Sequence, residues 1–211
     1  MIESSSEAVQ LLVLGACFAL ALIRALRVRT AAWIEVACFF ACMFLGNAYW
    51  YGFLIIFGRT PDVSYISDLN WIAGYAFLLM LMIECNQKRG PTPPVRAAWV
   101  PVALCAACCV YFMCVSGYIL LNLSEGGLVA ALGFFAVRGI ASRRSESSGK
   151  GFSRNRPLHV SVLAFVVVEE ALWLSSLLDP TADFVIYGII NYLLTFSYVA
   201  ILAAAWRSED L

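Results

Sequence analysis

Long apolar runs divided by short polar breaks set the pattern of this chain. Seven runs stand out, at about 8–26, 31–57, 67–84, 97–121, 126–141, 157–178 and 184–206. They are continuous, so the period-2 alternation of a membrane β-strand is missing. Most reach the ~20 residues that an α-helix needs to cross hydrocarbon. The breaks carry turn punctuation: Gly58, Pro61, Asp62 and Ser64 after the second run, a Pro-rich NQKRGPTPPVR after the third, and a DPTAD turn after the sixth. Pro157 stands where a helix tolerates it, in the first turn. The pattern predicts an all-α fold, a polytopic membrane bundle of seven transmembrane helices making one domain over residues 1–211. The run over 126–141 is the shortest, and Arg138 interrupts its end. Residues 1–7, MIESSSE, read as a polar tail without the basic segment of a signal peptide.

Charge placement orients the bundle. With the N-terminus outside, all 14 Lys and Arg residues except Arg59 fall on the cytoplasmic side: three after helix 1, three before helix 4, the group in SRRSESSGKGFSRNR with Arg138, and Arg207. That satisfies the positive-inside rule at every loop and requires the fifth run to cross. The expectation is N-terminus out, C-terminus in, multi-pass in the cytoplasmic membrane. Composition agrees: 62% of the 211 residues are hydrophobic and 13% charged, with mean hydropathy +0.83, against about 25% charged in soluble domains. A net charge of zero gives no reason to expect a nucleic-acid partner.

Helices 2–3 and 6–7 resemble one another. Asn47-Ala48-Tyr49-Trp50, a Pro/Asp turn and Gly74-Tyr75 are matched by Glu170-Ala171-Leu172-Trp173, a Pro/Asp turn and Asn191-Tyr192. This suggests a 3+1+3 parallel internal repeat with helix 4 as linker, an arrangement found in some transporters and sensory modules.

The costliest residues are Glu169 and Glu170, midway along helix 6. An ionised group at a helix centre costs roughly 2.5–3.5 kcal/mol on insertion scales. Adjacent carboxyls point ~100° apart, so both belong in the bundle interior, as a cation ligand, a proton relay or an interhelical hydrogen-bonded clamp. Tyr187, Asn191, Thr195 and Tyr198 form one stripe on helix 7. With Asn47, Trp50 and Tyr51 on helix 2, Trp71 and Tyr75 on helix 3, and Trp173 on helix 6, they are candidates for an aromatic-walled ligand pocket opening outward. The bland alternatives are an aromatic belt at the membrane surface and polar glue between helices.

Other chemistry is constrained. The eight Cys lie in or beside apolar runs and pack as small hydrophobes, so no metal site is expected, and no cofactor. The single His, His159, excludes a haem held by two His of one chain. Lys88 and Lys150 both lie in loops, which excludes a retinal Schiff base. P-loop, HExxH and GxSxG motifs are absent. Glu35 and Glu84, near cytoplasmic helix ends, are expected to pair with Arg or Lys, and Gly15 with Ala19 offers a small helix contact. Asn122-Leu-Ser matches a glycosylation acceptor pattern close to the bilayer.

Gly46-Asn47-Ala48-Tyr49-Trp50, then Pro61-Asp62-Val63-Ser64, then Ser67-Asp68-Leu69-Asn70-Trp71-Ile72-Ala73-Gly74-Tyr75 resembles the membrane-embedded N-terminal sensory regions of bacterial diguanylate cyclases and related signalling proteins. Asn47 stands where those regions commonly have Asp, and Asn70-Trp71-Ile72 lies near a Tyr-Leu position. The chain stops about five residues after helix 7 and lacks the cyclase signature. The resemblance therefore implies a free-standing bacterial membrane sensor or partner subunit without cyclase activity. The leading expectation is a sensory or regulatory protein that binds a small or lipid-like ligand in the outer half of the bundle. It would signal to a cytoplasmic or membrane partner through residues 142–156 or the C-terminus. The alternative is a small transporter with Glu169 and Glu170 as proton or substrate site. An intramembrane enzyme ranks last, since no nucleophile or metal ligand accompanies the pair.

Overall fold

The computed structural model describes residues 2–59, 61, 65–87, 94–116, 118–141, 155–176 and 184–208. Among them are seven α-helices: α1 (Ile2–Val28), α2 (Ala31–Phe57), α3 (Tyr65–Gln87), α4 (Trp99–Ser116, after a 3-10 turn at Arg96–Ala98), α5 (Ile119–Ala141), α6 (Arg156–Ser175) and α7 (Phe184–Arg207). All seven are long and apolar enough to cross a membrane, which makes the chain a multi-pass protein of a lipid bilayer. Much of the turn after α2 (60 and 62–64), the basic loops (88–93 and 142–154), the 177–183 turn and the last three residues lie outside the described residues.

Local chemistry sets the helix ends. α1 stops as Arg29 turns into the left-handed region (φ 57°), its N–H still bonded to the Ala25 carbonyl at 2.8 Å. Thr30 follows in extended geometry, and α2 begins at once. α2 ends at Gly58 (φ 67°), whose N–H bonds to Leu54 O at 2.9 Å. Glycine takes this conformation without a Cβ penalty.

Two boundaries differ from the sequence expectation. Helix 1 reaches back to Ile2, so Ser6 and Glu7 are buried helical residues rather than part of a tail. Helix 4 ends at Ser116, and helix 5 starts at Ile119, not Gly126. Asn122 and Glu125 are therefore helical and buried. A buried helical Asn122 is no glycosylation acceptor.

Six helices close a ring in the order α1, α2, α3, α5, α6, α7, with α7 returning to α1. Helix α4 packs on the outside of α5 and touches α6 lightly. Where α2, α3, α6 and α7 meet, aromatics fill the ring. Phe165 stands 6.0 Å from Phe39, 6.1 Å from Tyr75 and 5.6 Å from Tyr198, centroid to centroid. The Tyr198 hydroxyl points at Met43 Sδ, 3.7 Å away.

The two ends of the bundle differ in charge. Arg24, Arg27, Arg29, Arg96, Arg138, Arg156 and Arg207 gather at the end where α1 finishes. There Arg24 lies between two indoles, its Cζ 5.6 Å from Trp33 and 5.1 Å from Trp206, which themselves meet edge-on at 5.5 Å. One cation thus joins α1, α2 and α7. Each desolvated cation–π contact contributes roughly 1–2 kcal/mol. Arg24→Ala should lower unfolding stability by about 2 kcal/mol, with Arg24→Lys recovering part of it. Thermal melting in nanodiscs would read this, and an unchanged Arg24→Ala midpoint would remove the clamp from the account.

Candidate functional site

At the opposite end, where α1 begins, carboxyl groups are buried. Asp68 on α3 is 3% exposed, Glu125 on α5 is 5% and Glu169 on α6 is 7%. Each lies within about two turns of a helix end, so that burying it does not bring it to the bundle centre. Glu169 accepts a hydrogen bond from the Tyr75 hydroxyl of α3. The Trp173 indole lies one turn further along α6, within reach of the same carboxyl. Glu170 turns the other way, toward α4, where the thiols of Cys105 and Cys108 donate to it. Those cysteines thus act as weak donors to a carboxyl. Among the described residues no three His, Cys, Asp or Glu side chains are grouped to hold a metal ion.

Glu125 has no such donor. Asp68 and Glu169 are the carboxyls that act on it electrostatically. Its Oε1 and the Oε2 of Glu169 are buried without hydrogen-bond partners. Both residues line a cavity of about 30 Å³. Tyr75, Asn122, Glu170 and Trp173 complete its polar wall, with Cys109, Phe112, Gly126 and Val129 as the apolar remainder. Such a volume admits one or two groups the size of water, well below the 300 Å³ or more of an ordinary small-molecule pocket. A buried polar atom left unmatched costs about 1–3 kcal/mol, and two residues of this wall each carry one.

The structure divides the residues singled out in the sequence into three groups. Tyr75, Glu169, Glu170 and Trp173 meet at this cavity. Trp50 and Trp71 meet with tilted rings, centroids 6.0 Å apart, between α2 and α3. Gly46 makes room there, since a Cβ would come within 2.7 Å of Trp71 Nε1. Asn47, beside them, donates to its own helix at Met43 O, 2.9 Å away, and Tyr51 is half-buried on α2. The third group lies between α7 and α1. Tyr187 OH and Asn191 Nδ2 donate to Glu7 Oε1 at 3.2 and 3.3 Å. Asn191 also reaches Ser6 Oγ at 3.3 Å, and Thr195 Oγ1 bonds back to Asn191 O at 2.8 Å. Glu7, Asp68 and Glu125 belong to the buried polar set but were not singled out.

No family model matches this chain, and no curated protein or solved structure matches it significantly.

Proposed function

We propose that this multi-pass membrane protein is sensory or regulatory, and that its ligand is a small cationic hydrogen-bond donor held among Glu125, Glu169 and Glu170. The observation that carries this reading is that Glu125 and Glu169 both line one water-sized cavity, and that each also has an oxygen, Oε1 and Oε2 respectively, buried without a hydrogen-bond partner. Donors complete such a site, and a positive charge offsets facing carboxyls in a medium where Coulomb terms are strong. The positive-inside distribution supports placing this end of the bundle on the outer side of a cytoplasmic membrane. The resemblance of 46–75 to bacterial sensory regions supports signalling to a partner, through residues 142–156 or the C-terminus. A ligand drawing α3, α5 and α6 together would bias the packing that such a partner reads.

Methylammonium is a suitable probe because it is small and cationic. Titrated into nanodisc-embedded protein, it should perturb carboxyl stretching bands in infrared difference spectra, and Glu125→Gln with Glu169→Gln should weaken that response about tenfold. A response unaffected by both substitutions would sink the pocket reading. For signalling, crosslinking in native membranes should recover a partner, and deletion of 142–156 should lose it.

The ring favours a second reading, small-cation transport. Helices α1–α3 and α5–α7 occupy it as two consecutive arcs, with α3 meeting α5 as α7 meets α1. The pocket lies at one of those two junctions, as substrate sites of repeat-built transporters do. Methylammonium flux in proteoliposomes, abolished by Glu169→Gln, would favour transport, whereas binding without flux favours the sensor.

A further inference from the structure

The hairpin of α1 and α2 carries a groove at the arginine-rich end, away from the carboxyl cavity. Its volume is about 390 Å³. Leu22, Ala25, Leu26 and Arg29 of α1 line one side, and Ile34 and Ala37 of α2 the other. Ala25 and Ala37 are buried, while Leu26 and Ile34 stand exposed. Toward the middle of the bundle the groove reaches Phe18 and Ala41. Beyond them the two helices close up, since a Cβ on Gly15 would come within 3.2 Å of the Phe44 ring. From Phe18 to Arg29 α1 advances eleven residues, roughly 16 Å at 1.5 Å per residue. That is close to the depth of one leaflet's hydrocarbon, half of ~30 Å. One continuous space thus has an arginine at its mouth and apolar walls inside.

The mouth favours an anion. Arg29 takes φ 57°, a left-handed conformation that glycine adopts freely and a residue with a Cβ adopts at a cost. The tight turn into α2 accounts for the conformation but not for an arginine in it, and an outlier kept at a cost points to a use for its side chain. Directly after it, Thr30 stands at the N-cap of α2 without a side-chain hydrogen bond, and the first turn of α2 has no acidic residue. The positive end of a 27-residue helix therefore adds to the Arg29 charge without a carboxyl of its own first turn to offset it. Arg27 and Arg29 are both exposed, whereas Arg24 is occupied between Trp33 and Trp206. Glu35, in the second turn of α2, is not part of the groove's wall.

We propose that this groove binds an anionic phospholipid from the leaflet at the arginine-rich end. The phosphate pairs with Arg29 at the start of α2, and one acyl chain lies along Leu22, Ala25 and Ala37. The site is at the opposite end of the bundle from the cation pocket and does not depend on it. A guanidinium fork matches two phosphate oxygens at once. Arg27 beside it opposes the ammonium of a zwitterionic head, which favours a lipid such as phosphatidylglycerol over phosphatidylethanolamine. The apolar walls match a chain that already lies in the hydrocarbon, and give a free phosphate nothing to bind.

The test uses phosphatidylglycerol with a diazirine on one acyl chain, photolysed with the whole protein in phosphatidylcholine nanodiscs. Peptide mass spectrometry should place the adducts on 18–26 and 34–41. Unlabelled phosphatidylglycerol should compete about tenfold better than phosphatidylethanolamine with the same chains, and glycerol phosphate, a head without a tail, should not compete. Arg29→Gly should cut labelling about tenfold, while its thermal midpoint in phosphatidylcholine alone stays level or rises, because glycine relieves the left-handed residue. Arg29→Lys keeps the charge without the fork and should fall between. Equal competition by the two lipids, native labelling of Arg29→Gly, or adducts spread over all lipid-facing helices would overturn the proposal. So would competition by glycerol phosphate, which makes the mouth a plain phosphate site, or protein–protein crosslinks through 22–34, which make the groove a contact between two copies.

Discussion

Gly139→Ala should destabilise the bundle by about 2 kcal/mol, although alanine is the better helix former. Helix propensity alone would favour the change by ~1 kcal/mol. Packing opposes it: a Cβ at 139 would stand 2.1 Å from His159 Cδ2 and 2.2 Å from Nε2. The imidazole is fully buried, so it can clear the methyl only by moving α6 away from α5. Overpacking of this kind costs about 1–3 kcal/mol, here on top of the propensity gain it must cancel. Gly74→Ala is the control. Its Cβ would meet Met43 Cε at 2.7 Å, the end of a flexible side chain that can rotate aside, and stability should stay within about 1 kcal/mol. Unfolding followed by tryptophan fluorescence would separate the two. Equal midpoints would contradict the close approach of α5 and α6.

The second large effect is a non-additive one. Tyr75→Phe removes the hydroxyl that Glu169 uses and leaves the carboxyl with the Trp173 indole as its remaining donor and Oε2 still unmatched. Stability should fall by about 1–3 kcal/mol. Removing both partners in Tyr75→Phe with Glu169→Leu should restore it to near the native value, because an apolar pair carries no desolvated group. A double-mutant cycle measures the coupling directly. If the double variant is as unstable as the sum of the singles, the hydroxyl–carboxyl pair is not what holds α3 to α6. The same double variant should lose the methylammonium response, so stability and binding move in opposite directions at this site.

Much of the fold was readable in the sequence because each span's apolar run is a local property. Seven runs became seven helices, and the cost of Glu169 in hydrocarbon was enough to draw attention to it. The partners of that carboxyl were harder. Glu125 stands in NLSEGG, where Asn, Ser and two glycines read as a link, yet the chain continues as α5 straight through it. Glu7 looked like part of a polar tail because its donors, Tyr187 and Asn191, are about 180 residues away. Arg24 looked like one more cytoplasmic charge, since nothing near it in sequence reveals that Trp206 covers it. Ring order was equally hidden: α4 follows α3 in the chain, but α5 takes the place beside α3. Hydropathy says which segments are buried in lipid, and only long-range packing decides which faces meet.

The aromatic filling around Phe165 has an electrical consequence. Phe39, Phe165 and Tyr198 lie between the carboxyl pocket and the arginine-rich end, and a hydrocarbon-like plug is where a transmembrane voltage drops. Glu125 is six residues into α5, roughly 9 Å along its axis, a minor part of a ~30 Å core. A monovalent ion reaching it therefore crosses only a fraction of the field, and so gains only a fraction of the ~2.3 kcal/mol that 100 mV confers on a full crossing. On the cation-pocket reading proposed above, binding at this depth would draw on one face of the membrane and would change by only about 0.7 kcal/mol per 100 mV.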